Sequence, residues 1–530
     1  MRWRLDLGAG RWTALVFCRG AQCAPVDGQR PPLQNSAEYH SVCDEVLLKF
    51  LKILKKLFTK NFLSPRRAKM QAFNETINNI IWGVPMIALM LGTGLYLSIR
   101  TGFIQVFEFR YAMKHTIGKI FKKQEAKKGA ITPFQAMTTA LAATAGTGNI
   151  VGITYAVTLG GPGAVFWLWV SAFIGMCTKY AETALAVKFR VRNCDGDFAG
   201  GPMYYIKRGL SKRWHWLAGM FCVFGALAAF GVGNAMQVGN MTSSINSALQ
   251  TFNPSAARIE GTVNIAVGVL VAIVAAVTLL GGIKRLGRTT EMIVPFMSLL
   301  YIGAALAVII ANIGMIGAVF GDIFTAAFTP SAVIGGAAGV SLRAAISLGL
   351  KRGVFSNEAG LGSAPIAHAS TSEKDPAVQG LYGIFEVFID TIVMGTITAL
   401  TLLMSGIDLN YGTVGTSALN IDAFATVFGA RAGAVIIASC MVLFAMATVL
   451  GWSLYGVRCC EYLFGPKSIK PYLALYIMMA IVGATMDLSL AWEISDTLNG
   501  LMAIPNLIAL LGLSGVVVKV TQEHFDKRRL

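Results

Sequence analysis

Thr139-Ala-Leu-Ala-Ala-Thr-Ala-Gly-Thr-Gly-Asn-Ile-Val-Gly152 decides how the chain is read. The stretch lies inside an apolar segment long enough to cross a bilayer. Its centre, Gly146-Thr147-Gly148-Asn149, is built to interrupt a helix. Two glycines flank a β-branched residue, and Asn149 can bond its own backbone instead of continuing the ladder. Unwound backbone at membrane depth persists only where protein buries it or where it lines a polar cavity. Broken spans of this kind hold substrate and coupling ion in secondary transporters. A second stretch, Lys351-Arg-Gly-Val-Phe-Ser-Asn-Glu-Ala-Gly-Leu-Gly-Ser-Ala-Pro365, repeats the device later in the chain. Together they point to a cation-coupled carrier of a small amino acid.

Composition agrees with a membrane chain. Hydrophobic residues make up 55% of the 530 positions and charged residues 14%, where a soluble chain carries roughly 25%. The formal charge of +18 does not imply nucleic acid, because Lys and Arg fall in short clusters between apolar spans. The nine Cys show no CxxC framework, so neither structural zinc nor a disulfide scaffold is expected. No Gly-x-x-x-x-Gly-Lys-Ser/Thr loop occurs, which disfavours ATP-driven pumping. No cofactor, nucleophile–base set or metal-spaced His/Cys set is apparent, so an enzyme is not expected.

Outward from the opening stretch, apolar runs predict an all-α integral membrane protein of about eleven spans, each near the roughly 20 residues a bilayer needs. They lie at about Ile80–Ile99, Pro133–Leu159, Ala164–Val187, Trp216–Leu249, Val263–Gly282, Met292–Ile313, Gly335–Ala369, Leu381–Met404, Ala432–Val457, Tyr472–Met486 and Asp496–Val518. After one extra span, two sets of five each begin with a broken helix: repeat one at about 133–313 and repeat two at about 335–518. Interrupted spans at matching positions of two halves signal an inverted repeat with its site between the breaks. Loops after the first, third, fifth, ninth and eleventh spans hold nearly all the loop Lys and Arg, including Lys284, Arg285 and Arg288. The positive-inside rule puts that side, and the C-terminus, in the cytoplasm. Residues 1–69 read as a separate extension. They show no clear period to about Ser41, then a basic amphipathic helix at about 44–60 suited to a membrane surface. This extension is expected to be dispensable, with residues 70–530 forming the transporter domain.

The breaks supply the chemistry. Free amides at Thr147 and Gly148 would open a half-helix and bind a carboxylate. Free carbonyls around Ala142 and Ala145 are hard ligands suited to Na⁺. Gln237 offers a buried amide for a substrate's polar end, or a plain interhelical bond. Phe355 and Trp452, beside breaks or glycines, wall a small apolar pocket or simply pack. Charges within spans are costly and read as functional. Asp390, one turn after Glu386, is the candidate for proton or cation handling; Glu358 stands beside the second break, with Asn149 and Asn357 as further candidates. Lys179 with Glu182 reads as a structural pair. The segment Gly200-Gly-Pro-Met-Tyr-Tyr-Ile206 reads as cytoplasmic loop.

Ala140 to Gly152, Gly160-Gly-Pro-Gly-Ala-Val-Phe-Trp167, Gly200-Gly-Pro-Met-Tyr-Tyr205 and Arg352 to Ala367 resemble the prokaryotic alanine or glycine:cation symporter family, from about Met70 to the C-terminus. The resemblance implies a LeuT-type fold in the cell (inner) membrane of a bacterium or archaeon. It also implies alternating access, with uptake of alanine or glycine driven by Na⁺, or by H⁺ in some members. By that similarity Thr147 and Gly148 would take the carboxylate, with Gly146 also at the substrate, Gln237 would hold the polar end, and Phe355 and Trp452 would limit side-chain size. A sodium ion would sit among Ala142, Ala145 and the Thr448 hydroxyl. Where many members have Ser-Thr, this chain has Ala447-Thr448, one hydroxyl fewer. The rival from another class, an ion channel, needs a continuous pore of repeated polar rings, which two single breaks do not provide.

Overall fold

Thr132 starts the first broken helix. Its hydroxyl accepts from the Gln135 amide while the Gln135 side chain accepts from the Thr132 amide, and Pro133 fills the first helical position, where no N–H is needed. The structure is a computed structural model that describes residues 74, 76–78, 81–120, 129–194, 196–329, 341–413, 417–486 and 488–529. The extension 1–69, its basic helix and the first residues expected of the seventh span, 335–340, lie outside the described residues.

The described chain is almost wholly helical. Helix α1 (Val84–Arg100) precedes the first broken pair, α2 (Pro133–Thr144) and α3 (Val151–Gly160), which are bent by 59°. Gly161, at φ +67°, turns the chain into α4 (Gly163–Phe189). A small hairpin, β1 (Val191–Arg192) and β2 (Phe198–Ala199), leads to the short α5 (Pro202–Gly209). Then come α6 (Trp216–Phe230) and α7 (Met236–Phe252), joined through a π-helical turn at Gly231–Ala235, followed by α8 (Glu260–Leu279) and α9 (Gly282–Ala311). The second broken helix is α10 (Leu342–Asn357) and α11 (Ala364–His368). Helices α12 (Pro376–Val387) and α13 (Thr396–Met404) flank a π-helical segment, Phe388–Gly395. The chain continues through α14 (Ser417–Phe428), α15 (Ala430–Phe464), α16 (Ile469–Thr485), α17 (Leu488–Gly512) and α18 (Ser514–Arg529).

Burial separates inside from outside. Helices α4 and α15 are mostly buried, whereas α8, α9 and α16 expose most of their apolar surface. Leu270, Ile273, Val277, Met292, Phe296 and Leu299 are all exposed. An apolar face this extensive is stable only against lipid. Among the described residues, eight helices are long and apolar enough to cross a membrane, nine with the bent α2–α3 pair. Helix α4 packs on α10, α12 and α1; α15 packs on α6, α7 and α14. The broken helices sit between these groups, with α2 against α11 and α3 against α10. Their starts and ends are tied by a bridge in which Ile131 N–H donates to Ser370 O at 3.0 Å and Ser372 N–H to Ile131 O at 2.7 Å.

Four sequence expectations are corrected. Lys284, Arg285 and Arg288 do not lie in a loop but in the first turns of α9, because Gly282 at φ +70° reverses the chain sharply. Arg285 reaches back to Val277 O at 2.7 Å, closing the end of α8. The Gly200–Ile206 segment is not a solvated loop: α5 begins there, with Tyr205 fully buried. Its glycines allow contact, since a Cβ at Gly200 would fall 2.5 Å from that of Ala369. The last span ends at Gly512, not Val518, and the basic residues beyond form α18. Cys177, Cys222, Cys440, Cys459 and Cys460 are free, but Cys194 is disulfide-bonded.

Candidate functional site

The break between α2 and α3 releases carbonyls in a defined way. In a continuous helix the amides of Gly146, Thr147 and Asn149 would bond Ala142, Ala143 and Ala145. Here Gly146 N–H turns to Thr144 O at 2.9 Å, Thr147 N–H to Gln237 Oε1 at 3.1 Å, and Asn149 N–H to Gly146 O at 3.1 Å. The Ala142 carbonyl instead accepts the Thr448 hydroxyl of α15 at 3.1 Å. The break is pressed onto α15: a Cβ on Gly146 would stand 2.5 Å from Thr448 Oγ1 and 3.1 Å from Gln237 Oε1. Thr147 Oγ1 donates to Gln237 Oε1 at 2.9 Å and accepts from Asn240 Nδ2 at 2.9 Å. Gln237 is fixed in turn by Nε2–H to Val232 O at 3.0 Å, a carbonyl in the π turn. Of the two amides expected to be free, Thr147 is therefore engaged, and Gly148 remains. A Cβ on Gly148 would meet nothing within 4 Å, so the break faces open space there.

Asp390 joins the two breaks. Fully buried in the π segment, its Oδ1 accepts Asn149 Nδ2 at 2.7 Å, and its Oδ2 accepts Ser356 Oγ at 2.7 Å and Thr391 Oγ1 at 2.9 Å. All three partners are able to donate to the carboxylate, and Ser356 Oγ also lies 3.2 Å from Asn149 Oδ1. Each such bond contributes about 1.5–3 kcal/mol, enough in sum to hold a charge whose cost at mid-bilayer is about 2.5–3.5 kcal/mol. One turn earlier Glu386 makes a second joint, also fully buried. Its Oε1 lies 3.2 Å from Lys179 Nζ and 3.5 Å from Thr144 Oγ1, and its Oε2 is 2.8 Å from His368 Nε2. Gln379 Nε2, which can only donate, meets His368 Nδ1 at 2.9 Å, so the network places the ring proton on Nε2, toward Glu386.

The second break is held by acids from elsewhere. Glu358 adopts φ +54°, and Gly360 and Gly362 lie at +91° and +82°, backbone that glycine adopts freely. Glu182 of α4 accepts both glycine amides, at 3.0 and 3.1 Å, together with Asn506 Nδ2 at 2.5 Å. Trp452 Nε1 donates to Glu358 Oε1 at 2.9 Å, and Ser363 to Glu358 Oε2 at 2.5 Å. Asn357 Oδ1 accepts the Ala359 amide at 3.0 Å while its Nδ2 is buried without a partner.

The structure thus gathers Ala142, Gly146, Thr147, Gln237 and Thr448 around the first break, Asn149 with Asp390, and Glu358 with Trp452. Ala145 ends α2 beside Gly146, with a ψ of 75° that turns its carbonyl off the helix axis. Among the described residues Phe355 and Trp452 have different ring partners. Phe355 stacks on Trp492 at 6.0 Å, whereas Trp452 is fully enclosed and meets Tyr455. Lys179 pairs with Glu386, not with Glu182. Sequence reading misses Asn240, Ser356, His368 and Asn506. Asn240 was within reach, being three residues after Gln237 and so on the same helix face. Among the described residues, no group of three or more His, Cys, Asp or Glu could hold a metal ion. The Ala142 carbonyl, freed from the helix ladder, lies against the Thr448 hydroxyl.

Residues 67–530 match the profile of the sodium:alanine symporter family. The sodium/alanine symporter AgcS of Methanococcus maripaludis is 45% identical over 459 residues, 86% of this chain and 97% of that protein. An uncharacterised transporter of Haemophilus influenzae is 44% identical over 462 residues, 87% of this chain and 97% of that one. Among solved structures, MhsT in complex with L-phenylalanine matches with a TM-score of 0.51 at 12% identity, covering 75% of this chain and 99% of MhsT. That likeness concerns the fold, which is of the LeuT type.

Proposed function

The chain belongs to the sodium:alanine symporter family, and from that premise we propose that it carries alanine or glycine into the cell with Na⁺ by alternating access. As a family member it is a multi-pass membrane protein and a cation-coupled amino-acid symporter, not an enzyme. The single observation that carries the finer reading is the Thr448 hydroxyl on the Ala142 carbonyl at 3.1 Å. Two oxygens from different helices converge beside a break whose other carbonyls have left the ladder, and Na⁺ takes such oxygen ligands. The substrate carboxylate takes the Gly148 amide, with Gln237 releasing Thr147 as substrate enters. Trp452, anchored on Glu358, walls the side-chain pocket; Phe355 lies on the approach. The pairing of α2 with α11 and α3 with α10 supports an inverted repeat of five plus five helices after α1, and a family match beginning at residue 67 supports 70–530 as the transport unit. The Lys and Arg residues of α18 support a cytoplasmic C-terminus.

Proton coupling is the second reading, favoured by the buried Lys179–Glu386–His368 cluster. Alanine uptake into proteoliposomes decides between them. With Na⁺ coupling, replacing Na⁺ by K⁺ at fixed pH abolishes concentrative uptake and an uncoupler does not. Uptake that survives in K⁺ and collapses with the uncoupler overturns the sodium reading.

A further inference from the structure

Most charges near the breaks have partners of opposite sign or a full set of hydrogen bonds; Arg352 has neither. It lies on α10 with only 6% of its surface exposed, and its Nε and Nη1 are buried without any hydrogen-bond partner. It ion-pairs with no described carboxylate, and Asp496 is taken by the neighbouring Lys351 at 2.9 Å. Around the guanidinium stand three rings from three helices: Tyr155 of α3 at 4.5 Å, Trp492 of α17 at 5.0 Å and Phe355 of α10 at 5.5 Å. The rings recover part of the ion's lost hydration through their π faces, but they satisfy no N–H. A buried ion with unmet donors is among the costliest features a fold retains.

What surrounds Arg352 on its fourth side is room. A Cβ on Gly152 of α3 would meet only Arg352 Cδ, at 4.0 Å, and one on Gly148 would meet nothing within 4 Å. The face of the first break turned toward Arg352 is therefore bare. Nη1 shares the terminal edge of the guanidinium with Nη2, a two-pronged fork that matches both oxygens of a carboxylate, while Nε–H points to the other side.

We propose that Arg352 is a carboxylate subsite on the approach to the first break, where the α-carboxylate of the incoming amino acid docks before reaching the Gly148 amide. The inference rests on the substrate reading of that break. The carboxylate supplies the missing counter-charge through two N–H···O bonds, and the three rings shield the pair from water. Arg352 then selects for substrates bearing a free carboxylate, separately from the side-chain pocket.

The test is the ratio of association rate constants for L-alanine and L-alaninamide, which lacks the carboxylate, measured by stopped-flow binding to the purified full chain in Na⁺. In Arg352→Gln this ratio falls at least about tenfold, as expected for loss of charge-assisted hydrogen bonds. Arg352→Lys, which keeps the charge without the fork, recovers it in part. A thermal melt run beside each variant shows whether it is folded; if Arg352→Gln does not fold, the same ratio is read from Arg352→Lys and Trp492→Phe. An unchanged ratio in folded variants overturns the proposal. So does an alanine affinity that depends on chloride in the wild type and loses that dependence in Arg352→Gln, since the occupant would then be a free anion. Failure of wild-type chain to bind alanine or glycine at all is a different result and refutes the substrate reading itself.

Discussion

Asn149 and Asp390, 241 positions apart, are joined by a 2.7 Å hydrogen bond from the carboxamide to Oδ1. Asn149 belongs to the first break, and the same carboxylate holds Ser356, just before the second. One side chain on a π-helical segment thus fixes the distance between the two unwound stretches. π-helical turns recur at functional positions because they redirect a side chain that a regular helix would point elsewhere.

Asp390→Asn is expected to reduce alanine uptake at least about tenfold, because an amide cannot accept from all three donors and each charge-assisted bond contributes about 1.5–3 kcal/mol. Transport by the variant in proteoliposomes, with insertion checked by surface labelling, measures it. Uptake near the wild-type rate would mean that the joint does not matter for transport.

Thr448→Ala should raise the sodium concentration for half-maximal uptake about threefold or more, with little change in alanine saturation at high sodium. One ligand of several is lost, and removal of a single hydroxyl bond contributes about 0.5–1.5 kcal/mol. A sodium dependence identical to wild type would move the ion elsewhere.

The glycines of the first break should separate. Gly146→Ala drives a methyl into Thr448 Oγ1, 2.5 Å away, so both melting temperature and uptake fall; overpacking costs about 1–3 kcal/mol. Gly148→Leu projects into open space, so the protein inserts and melts normally while uptake is abolished. Parallel melts and uptake assays distinguish the two patterns, and equal melts for both variants would refute the packing argument.

The C-terminal helix supplies a pH prediction. Asp375 caps α12 and holds His524 of α18 at 2.7 Å. Burial pushes its carboxyl up, but the His524 ring and the Ala377 and Val378 amides outweigh that and hold it below the ordinary range. A lowered folded value means that Asp375 contributes above its unfolded value, about 3.9, and that the contribution is lost as pH falls through the lower folded value. Limited proteolysis should find α18 docked from pH 8 down to 5 as far as Asp375 is concerned, and loosened at every pH in Asp375→Asn. Equal protection of variant and wild type at neutral pH would remove the latch.

The breaks are legible in sequence because their cause is local. Glycine and asparagine interrupt a helix wherever they stand, and Gly146 to Asn149 and Glu358 to Gly362 carry the instruction in a few residues. The buried acids are legible as costly, but not their partners. Lys179 stands three residues from Glu182 and reads as its mate. Yet tertiary packing gives it Glu386, and gives Glu182 two glycine amides and Asn506, 324 positions away. Phe355 and Trp452 likewise look alike as aromatics beside breaks, and only packing assigns one to Arg352 and Trp492 and the other to Glu358. The short α5 escapes because Gly-Gly-Pro reads as a turn, and burial beneath the second break is not a property of those letters.

Helix α15 runs for 35 residues without interruption. At 1.5 Å per residue that is about 52 Å, against a hydrocarbon core of about 30 Å. Even strongly tilted, it must emerge from the lipid by several turns. Its buried middle carries Thr448 and Trp452, while its far end reaches Arg458, Glu461 and Phe464. Any rocking of the helix about its middle is therefore magnified at that end. A fluorophore placed near Gly465 would report, as an optical displacement in water, a tilt of the helix that carries Thr448 and Trp452.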